Sequence, residues 1–113
     1  VADSNSNYLY STLWNIVDKA SNQMVGDLCF KGEPNPKGEI EIGYGIYPAF
    51  EGKGYMTEAI RVLKQWAFAQ PGVETVIAET SSTNVSSHRT LEKNNFRKYR
   101  VVGEMYWWRC EKE

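Results

Sequence analysis

Two glycines, Gly52 and Gly54, stand in the run PAFEGKGYMTEA, between a segment of strict alternation and a segment of helical period. A chain that reverses there and enters a helix leaves its first backbone N–H groups without intrahelical partners, and the helix dipole places partial positive charge behind them. Such a turn suits an anion such as a phosphate, each dipole interaction contributing about 0.3–1 kcal/mol. The spacing is not that of a nucleotide P-loop, because Lys53 is followed by Gly54 and Tyr55, nor of GxGxxG, because Thr57 stands where the third glycine belongs. A turn that merely joins a strand to a helix is the plain alternative. Upstream, Gly43 and Gly45 share a strand face with Glu39 and Glu41, and glycine inside a strand marks a bulge or a close backbone approach. A ligand lying along that face fits the pattern, as does an edge strand whose carboxylates point into water.

Periodicity supplies the elements that hold these residues. Residues 13–17 and 24–30 are apolar and β-branched around the polar DKASNQ, which predicts a hairpin. KGEPNPKG (31–38), with two Pro and two Gly, predicts a connecting loop. Residues 39–47 place Ile40, Ile42, Tyr44 and Ile46 on one face and Glu39, Glu41, Gly43, Gly45 and Tyr47 on the other, a strand. From 55 to 70, Met56, Ala59, Ile60, Leu63, Trp66 and Ala67 recur at three and four, an amphipathic helix stopped by Pro71 and Gly72. A strand over 73–79 follows, then a helix capped by Asn84 and running to about Asn94, with Asn95 suited to the left-handed terminal conformation. Strands at 97–101 and 105–110 turn at Val102, Gly103 and Glu104. The order β, β, β, α, β, α, β, β predicts a mixed sheet with helices on its faces.

The 113 residues carry 13 Lys and Arg against 14 Asp and Glu, a net charge of -1, which predicts one domain over 1–113 and excludes a broad cationic field for nucleic acid. No apolar run approaches the ~20 residues of a membrane span. The polar opening VADSNSN lacks a signal-peptide pattern, so the expectation is a cytoplasmic protein without membrane or nucleic-acid partners. Cys29 and Cys110 lack metal-ligand spacing and read as reduced packing residues; no metal is expected. His88 reads as a solvated helix residue, and Arg89, Lys93, Arg97, Lys98 and Arg100 as a basic cluster on a solvated face, with contact to a ligand phosphate as the alternative. Tyr106, Trp107 and Trp108 on one strand must face both sides of the sheet, which leaves an aromatic for contact with a second copy of the chain.

The run EIGYGIYPAFEGKGYMTEA (41–59), followed 25 residues later by NVSSHRTLEKNNF (84–96), resembles the GNAT family of N-acetyltransferases, in particular its ribosomal-protein and N-terminal acetyltransferase branch. The resemblance implies an α/β acyl-CoA N-acyltransferase fold, with a mixed, mostly antiparallel central sheet and flanking helices, truncated at its N-terminus. It implies acetyl-CoA as cosubstrate and a primary amine, a protein N-terminus or a small amine, as acceptor. Main chain at Ile46 and Tyr47 would then pair with the pantetheine, and amides of Gly52, Lys53, Gly54, Tyr55 and Met56 would cradle the pyrophosphate, with Lys53 near its charge. Asn84 and Ser87 would face the pantetheine and the thioester, whose carbonyl a main-chain N–H near Ile46 or Tyr47 would polarise.

A lysine-type amine of pKa ~10.4 is neutral in about one molecule per 2,500 at pH 7, so a base is needed; an α-amine of pKa ~7.7–8.0 asks far less. Glu41, directly or through water, is the expected base and Glu39 its reserve. Three positions depart from the family's pattern. Leu91 stands where many members have a tyrosine acid, which leaves Ser87 as the nearby hydroxyl, Ala49 replaces an Arg or Gln, and Asn95 replaces a Gly. Members carry a strand and one or two helices ahead of the hairpin that begins near Leu13, and this chain opens on Val rather than Met. A non-catalytic CoA-binding remnant or interaction module is therefore the competing expectation, and a generic phosphate binder a third.

Overall fold

The computed structural model describes residues 13–112. In chain order they form β1 (Leu13–Asp18), β2 (Gln23–Phe30), β3 (Glu39–Ile46), α1 (Tyr55–Phe68), β4 (Thr75–Ser81), α2 (Val85–Lys93), β5 (Arg97–Val102) and β6 (Met105–Glu111), with a 3-10 turn at Pro48–Phe50. The strands make one six-stranded sheet in the order β1-β2-β3-β4-β6-β5. Only β3 and β4 are parallel, joined by the α1 crossover; every other pair is antiparallel. The mixed, mostly antiparallel sheet is the one expected. β3 lies inside it, between β2 and β4, so the edge-strand reading of Glu39 and Glu41 does not hold.

Alternation along the strands decides which face is dry. Ile40 and Ile42 of β3 join Leu28, Phe30, Val76, Ala78 and Trp108 in a single buried cluster with Met56, Ile60, Leu63 and Ala67 of α1 and Leu91 of α2. Both helices therefore cover one face, not both. The opposite face of the central strands mixes Glu39, Glu41, Gly43 and Glu79 with Ile77 and Trp107, and neither α1 nor α2 covers it.

Several boundaries move for identifiable reasons. Val73 is fully buried but precedes the strand, because the N–H groups of Glu74 and Thr75 both reach the carbonyl of Gly38, at 2.8 and 3.0 Å, before pairing begins. β4 then runs on to Ser81 because β6 pairs with it as far as Ser81↔Met105. At the end of α2, Asn95 takes φ 67 as expected. The buried Asn94 donates through Nδ2 to the carbonyls of Thr57 (3.0 Å) and Thr90 (3.2 Å), tying the two helices together. His88 is not solvated: its ring stacks on Tyr106 and Trp108 at 5.2 and 5.3 Å, and Nε2 sits 2.9 Å from the Ser81 carbonyl oxygen. Both cysteines are free. Among the described residues no helix is long and apolar enough to cross a membrane, and no cluster of His, Cys, Asp or Glu could hold a metal ion.

One glycine is dictated by crowding. Gly26 pairs with Ile16 and Ile46, and the next pair, Met24 with Val17, leaves Val25 as an extra residue on β2. A Cβ at Gly26 would lie 2.5 Å from the carbonyl oxygen of Gly45, a backbone atom that cannot step aside. Gly26→Ala is expected to lower stability by about 1–3 kcal/mol, the usual cost of overpacking. Gly45→Ala, whose Cβ would meet nothing nearer than the Asp27 carboxylate at 3.9 Å, should stay within about 0.5 kcal/mol of the parent. Denaturant midpoints at constant slope would check the pair.

Candidate active site in the gap between β3 and β4

The parallel pairing of β3 with β4 runs from Glu39↔Thr75 to Ile42↔Ala78 and stops, although β3 continues to Ile46 and β4 to Ser81. Ladder geometry fixes what β3 presents to the gap. The N–H of Tyr47 donates to the Val25 carbonyl at 2.9 Å, and the Glu41 carbonyl accepts from the N–H of Lys31 at 2.8 Å. Odd-numbered residues of β3 thus turn their main chain to β2, and even-numbered residues turn theirs toward β4. Past Ile42, the main-chain groups of Tyr44 and Ile46 face the gap with no partner on β4. An extended ligand can pair there as an added strand would. Tyr47 cannot take part as expected: its N–H is held by Val25 and its carbonyl accepts from Phe50 at 2.8 Å. Beside Ile46 it is Tyr44, not Tyr47, that turns unpaired main chain to the gap.

The second wall is the start of α1. Gly54 is the N-cap residue, at φ 82, and no side chain caps the helix. The first intrahelical bond is Glu58 N–H to the Gly54 carbonyl, 3.1 Å, so the N–H groups of Tyr55, Met56 and Thr57 remain unpaired in the first turn. Gly52 is also left-handed, at φ 76, and a Cβ at either glycine would meet nothing within 4 Å. Backbone conformation, not crowding, requires glycine at these two positions, and the space before the turn is open. α2 contrasts with α1, since Asn84 Oδ1 accepts from the N–H of Ser87 at 3.2 Å and caps it.

The third wall is that first turn of α2, where Ser87 Oγ is hydrogen-bonded to the hydroxyl of Tyr44 across the gap. Together the walls enclose a cleft of about 690 Å³. Of the expected residues, Ile46, Gly52, Gly54, Tyr55, Met56, Asn84 and Ser87 line it. Lys53 does not; its Nζ lies 6.0 Å from the centre of the Phe50 ring. Glu41 lies outside the lining too, on the other sheet face, 3.3 Å from Lys31 Nζ. A Cβ on Gly43 would come 2.9 Å from Lys31 Cε, so the lysine stem crosses that glycine to reach Glu41. Glu39 accepts from Asn35 Nδ2 at 2.9 Å and serves the loop. Burial raises the pKa of Tyr99 on this side, Glu39 and Glu41 add to the rise, and Arg109 and Arg100 oppose it.

One contact was not expected from the sequence. Alternation assigns Tyr44 to the core face, and only the folded chain reveals that its hydroxyl reaches Ser87. Arg89 and Lys93 are exposed, as expected, and also line the cleft, where the ligand-phosphate alternative would put them; their spacing of four on α2 is the signal that they share a helix face. With the uncapped α1 terminus they outweigh Glu51, the carboxylate in the same lining. Arg97 and Lys98 point elsewhere, Arg97 pairing with Glu111 at 3.0 Å and Lys98 lying 4.2 Å from the Tyr106 ring centre. The arrangement can hold an extended, anionic ligand along β3 with its phosphates on α1.

A family model described as an acetyltransferase (GNAT) domain matches residues 2–97. The chain belongs to the GNAT acetyltransferase family. It is 37% identical over 83 residues to the Bacillus subtilis protein named "uncharacterized N-acetyltransferase YjdG", covering 74% of this chain and 49% of that one. The chain thus spans about half the length of this curated relative. Among solved structures, it is similar to a ribosomal-protein-S5-alanine acetyltransferase from Vibrio fischeri, with a TM-score of 0.78, 18% identity, and coverage of 97% of this chain and 66% of that one. An aminoglycoside acetyltransferase solved with coenzyme A gives a TM-score of 0.72 at 17% identity, covering 95% and 70%. These two likenesses establish the shared fold.

Tyr44 has a measurable titration. Burial pushes its phenol up to about 12, against the opposing hydrogen bond with Ser87, so it stays protonated through the neutral range. A raised folded-state pKa contributes stability that is fully present below about pH 10 and is lost as pH rises toward about 12. Over that alkaline window the parent should lose stability more steeply than Tyr44→Phe, which lacks the titrating group; chemical denaturation at stepped pH would measure the difference in slope.

Proposed function

We propose that this chain binds acetyl-CoA in the cleft and transfers its acetyl group to a primary amine. The observation that carries the reading is the uncapped N-terminus of α1 beside the unpaired edge of β3. These are the two unsatisfied sets of main-chain groups that a pyrophosphate and a pair of pantetheine amides would satisfy. Amides of Gly54 through Thr57 would hold the pyrophosphate, Tyr44 and Ile46 the pantetheine, and Asn84 and Ser87 would stand toward the thioester. Arg89 and Lys93 supply the cation expected of Lys53.

In the transfer, Glu41 accepts the surplus proton of the attacking amine, through water given its position outside the cleft lining. The new C–N bond forms at the thioester carbonyl carbon as the C–S bond breaks and its electron pair stays on sulfur. The amine then approaches from the sheet face that bears Glu41, where Lys31 must yield. The lysine and glutamate side chains are 50% and 25% exposed, and exposed ion pairs are worth only about 0–1 kcal/mol, so displacement costs little. The acceptor is a primary amine, a protein N-terminus or a small amine; the shared fold accommodates both, since solved structures of that fold include enzymes named for a ribosomal protein and for an aminoglycoside.

A non-catalytic CoA-binding module is the second reading. It is favoured by the position of Glu41 outside the cleft and by Leu91, which is fully buried in the core where many relatives carry an acid.

Calorimetric titration with acetyl-CoA tests the binding. A non-glycine residue in the left-handed region costs about 1–2 kcal/mol, so Gly54→Val lets the free turn relax and the ligand must restore it, which should weaken binding about five- to thirty-fold. Equal affinity for acetyl-CoA would remove the α1 turn from the site. For catalysis, Glu41→Gln should lower kcat/KM about 10²–10⁴-fold across an amine panel followed by thiol release. Full turnover by that variant would remove Glu41 from the base role, whereas tight binding without turnover by the parent would establish the non-catalytic reading.

A further inference from the structure

The hydroxyls of Tyr44 and Ser87 lie 43 positions apart in sequence and meet across the cleft, one from β3 and one from the first turn of α2. Three observations on this contact converge. Ser87 is itself buried, at 8% exposure, and with its N–H bonded to Asn84 Oδ1 its hydroxyl proton is the donor it can turn to a ligand. Either hydroxyl can donate in the Tyr44–Ser87 bond, but a phenol is a far stronger acid than an aliphatic alcohol and is the better donor. Both side chains line the cleft in the stretch where β3 has lost β4 as a partner.

We propose that Tyr44 is a positioning residue: its phenol donates to Ser87 Oγ and so directs the Ser87 hydroxyl proton into the cleft, onto the sulfur that leaves as thiolate. The inference rests on the acetyl-CoA reading above and deepens it by assigning leaving-group stabilisation to a Tyr–Ser pair. No proton passes along the pair. As the C–S bond breaks, sulfur receives the electron pair, Ser87 O–H donates a hydrogen bond to it, and Tyr44 O–H keeps Ser87 Oγ from turning away. The thiolate departs and is protonated by solvent, while the amine's proton goes to the base. Tyr44 suits this task because burial keeps its phenol protonated well above neutral pH, so it remains a donor at every pH at which the reaction could run. The same pair accounts for how the chain can dispense with an acid at Leu91.

The thiol of bound CoA reports the pair without any acceptor amine or turnover, since a thiolate absorbs in the ultraviolet where the thiol does not. Unmodified CoA bound to the parent should titrate with the thiolate favoured about ten-fold over free CoA, one pKa unit. Tyr44→Phe and Ser87→Ala should each return most of that shift. The double variant should match Ser87→Ala alone, because Tyr44 acts only through Ser87. Calorimetric affinity for CoA should stay within about three-fold of the parent in Tyr44→Phe, a change of about 0.7 kcal/mol. An unshifted thiol in a parent that binds CoA would overturn this inference and leave the cofactor reading standing, as would a Tyr44→Phe shift equal to the parent's or effects that add in the double variant. Failure of the parent to bind CoA would overturn both. If Tyr44→Phe proves poorly folded, Tyr44→Met, which fills much of the site and brings no O–H or N–H donor to Ser87, gives the same comparison: a parental thiol pKa in that variant would overturn the inference.

Discussion

Everything that marks this molecule out depends on the point where β3 and β4 stop pairing. Parallel strands joined by a helix ordinarily stay hydrogen-bonded along their common length, because main-chain groups left bare in the interior are costly. Here the ladder is abandoned after Ile42↔Ala78, with four residues of β3 and three of β4 still to come. The bare groups of Tyr44 and Ile46 are tolerated because they open onto a solvent-filled cleft. They create a demand for a partner that no described strand meets.

The rest of the architecture keeps that gap open. On one side β3 is pinned by β2, including the close approach of Gly26 to Gly45 and the bond from Tyr47 to Val25. On the other side β4 is pinned by β6 through seven residue pairs, to the end of the strand at Ser81. With each strand held firmly by its outer neighbour, closing the gap would mean breaking an intact antiparallel ladder. The two helices sit on one face with their N-termini lining the same cleft, α1 uncapped and α2 capped by its own asparagine. The helix end that needs an anion and the helix end that has already satisfied itself thus stand on opposite sides of one ligand path.

The division between the two sheet faces orders the chemistry. The helical face carries the cleft walls: bare main chain of β3, the glycine turn, Asn84, Ser87 and the Arg89–Lys93 flank. The other face supplies the carboxylates and the Lys31–Glu41 pair. A transfer between ligands approaching from the two sides must take place at the gap, which is where the strands leave passage. Tyr44 belongs to both descriptions, since its main chain edges the gap and its hydroxyl reaches the opposite wall.

From the sequence alone, nearly every element was legible, because period-two and period-three-to-four patterns are local properties of the side chains. β3, α1, the Asn84 cap and the left-handed Asn95 follow from residue types at fixed spacings, and the glycine turn ahead of a helix is readable as an anion site for the same reason. The pairing partners of the main chain were not legible. Tyr47 and Tyr44 sit three apart on one strand, and which of them spends its N–H on β2 depends on ladder register, a property of two strands rather than one. The same holds for His88, whose aromatic neighbours arrive from β6, and for Arg89 and Lys93, which face a cleft only because α1 starts across from them. That both helices share a face, and that Glu41 stands behind the sheet with Lys31, likewise depends on how distant segments meet. Local physics determined the elements and marked the glycine turn as one that suits an anion; long-range register and packing decided which main-chain atoms remain free.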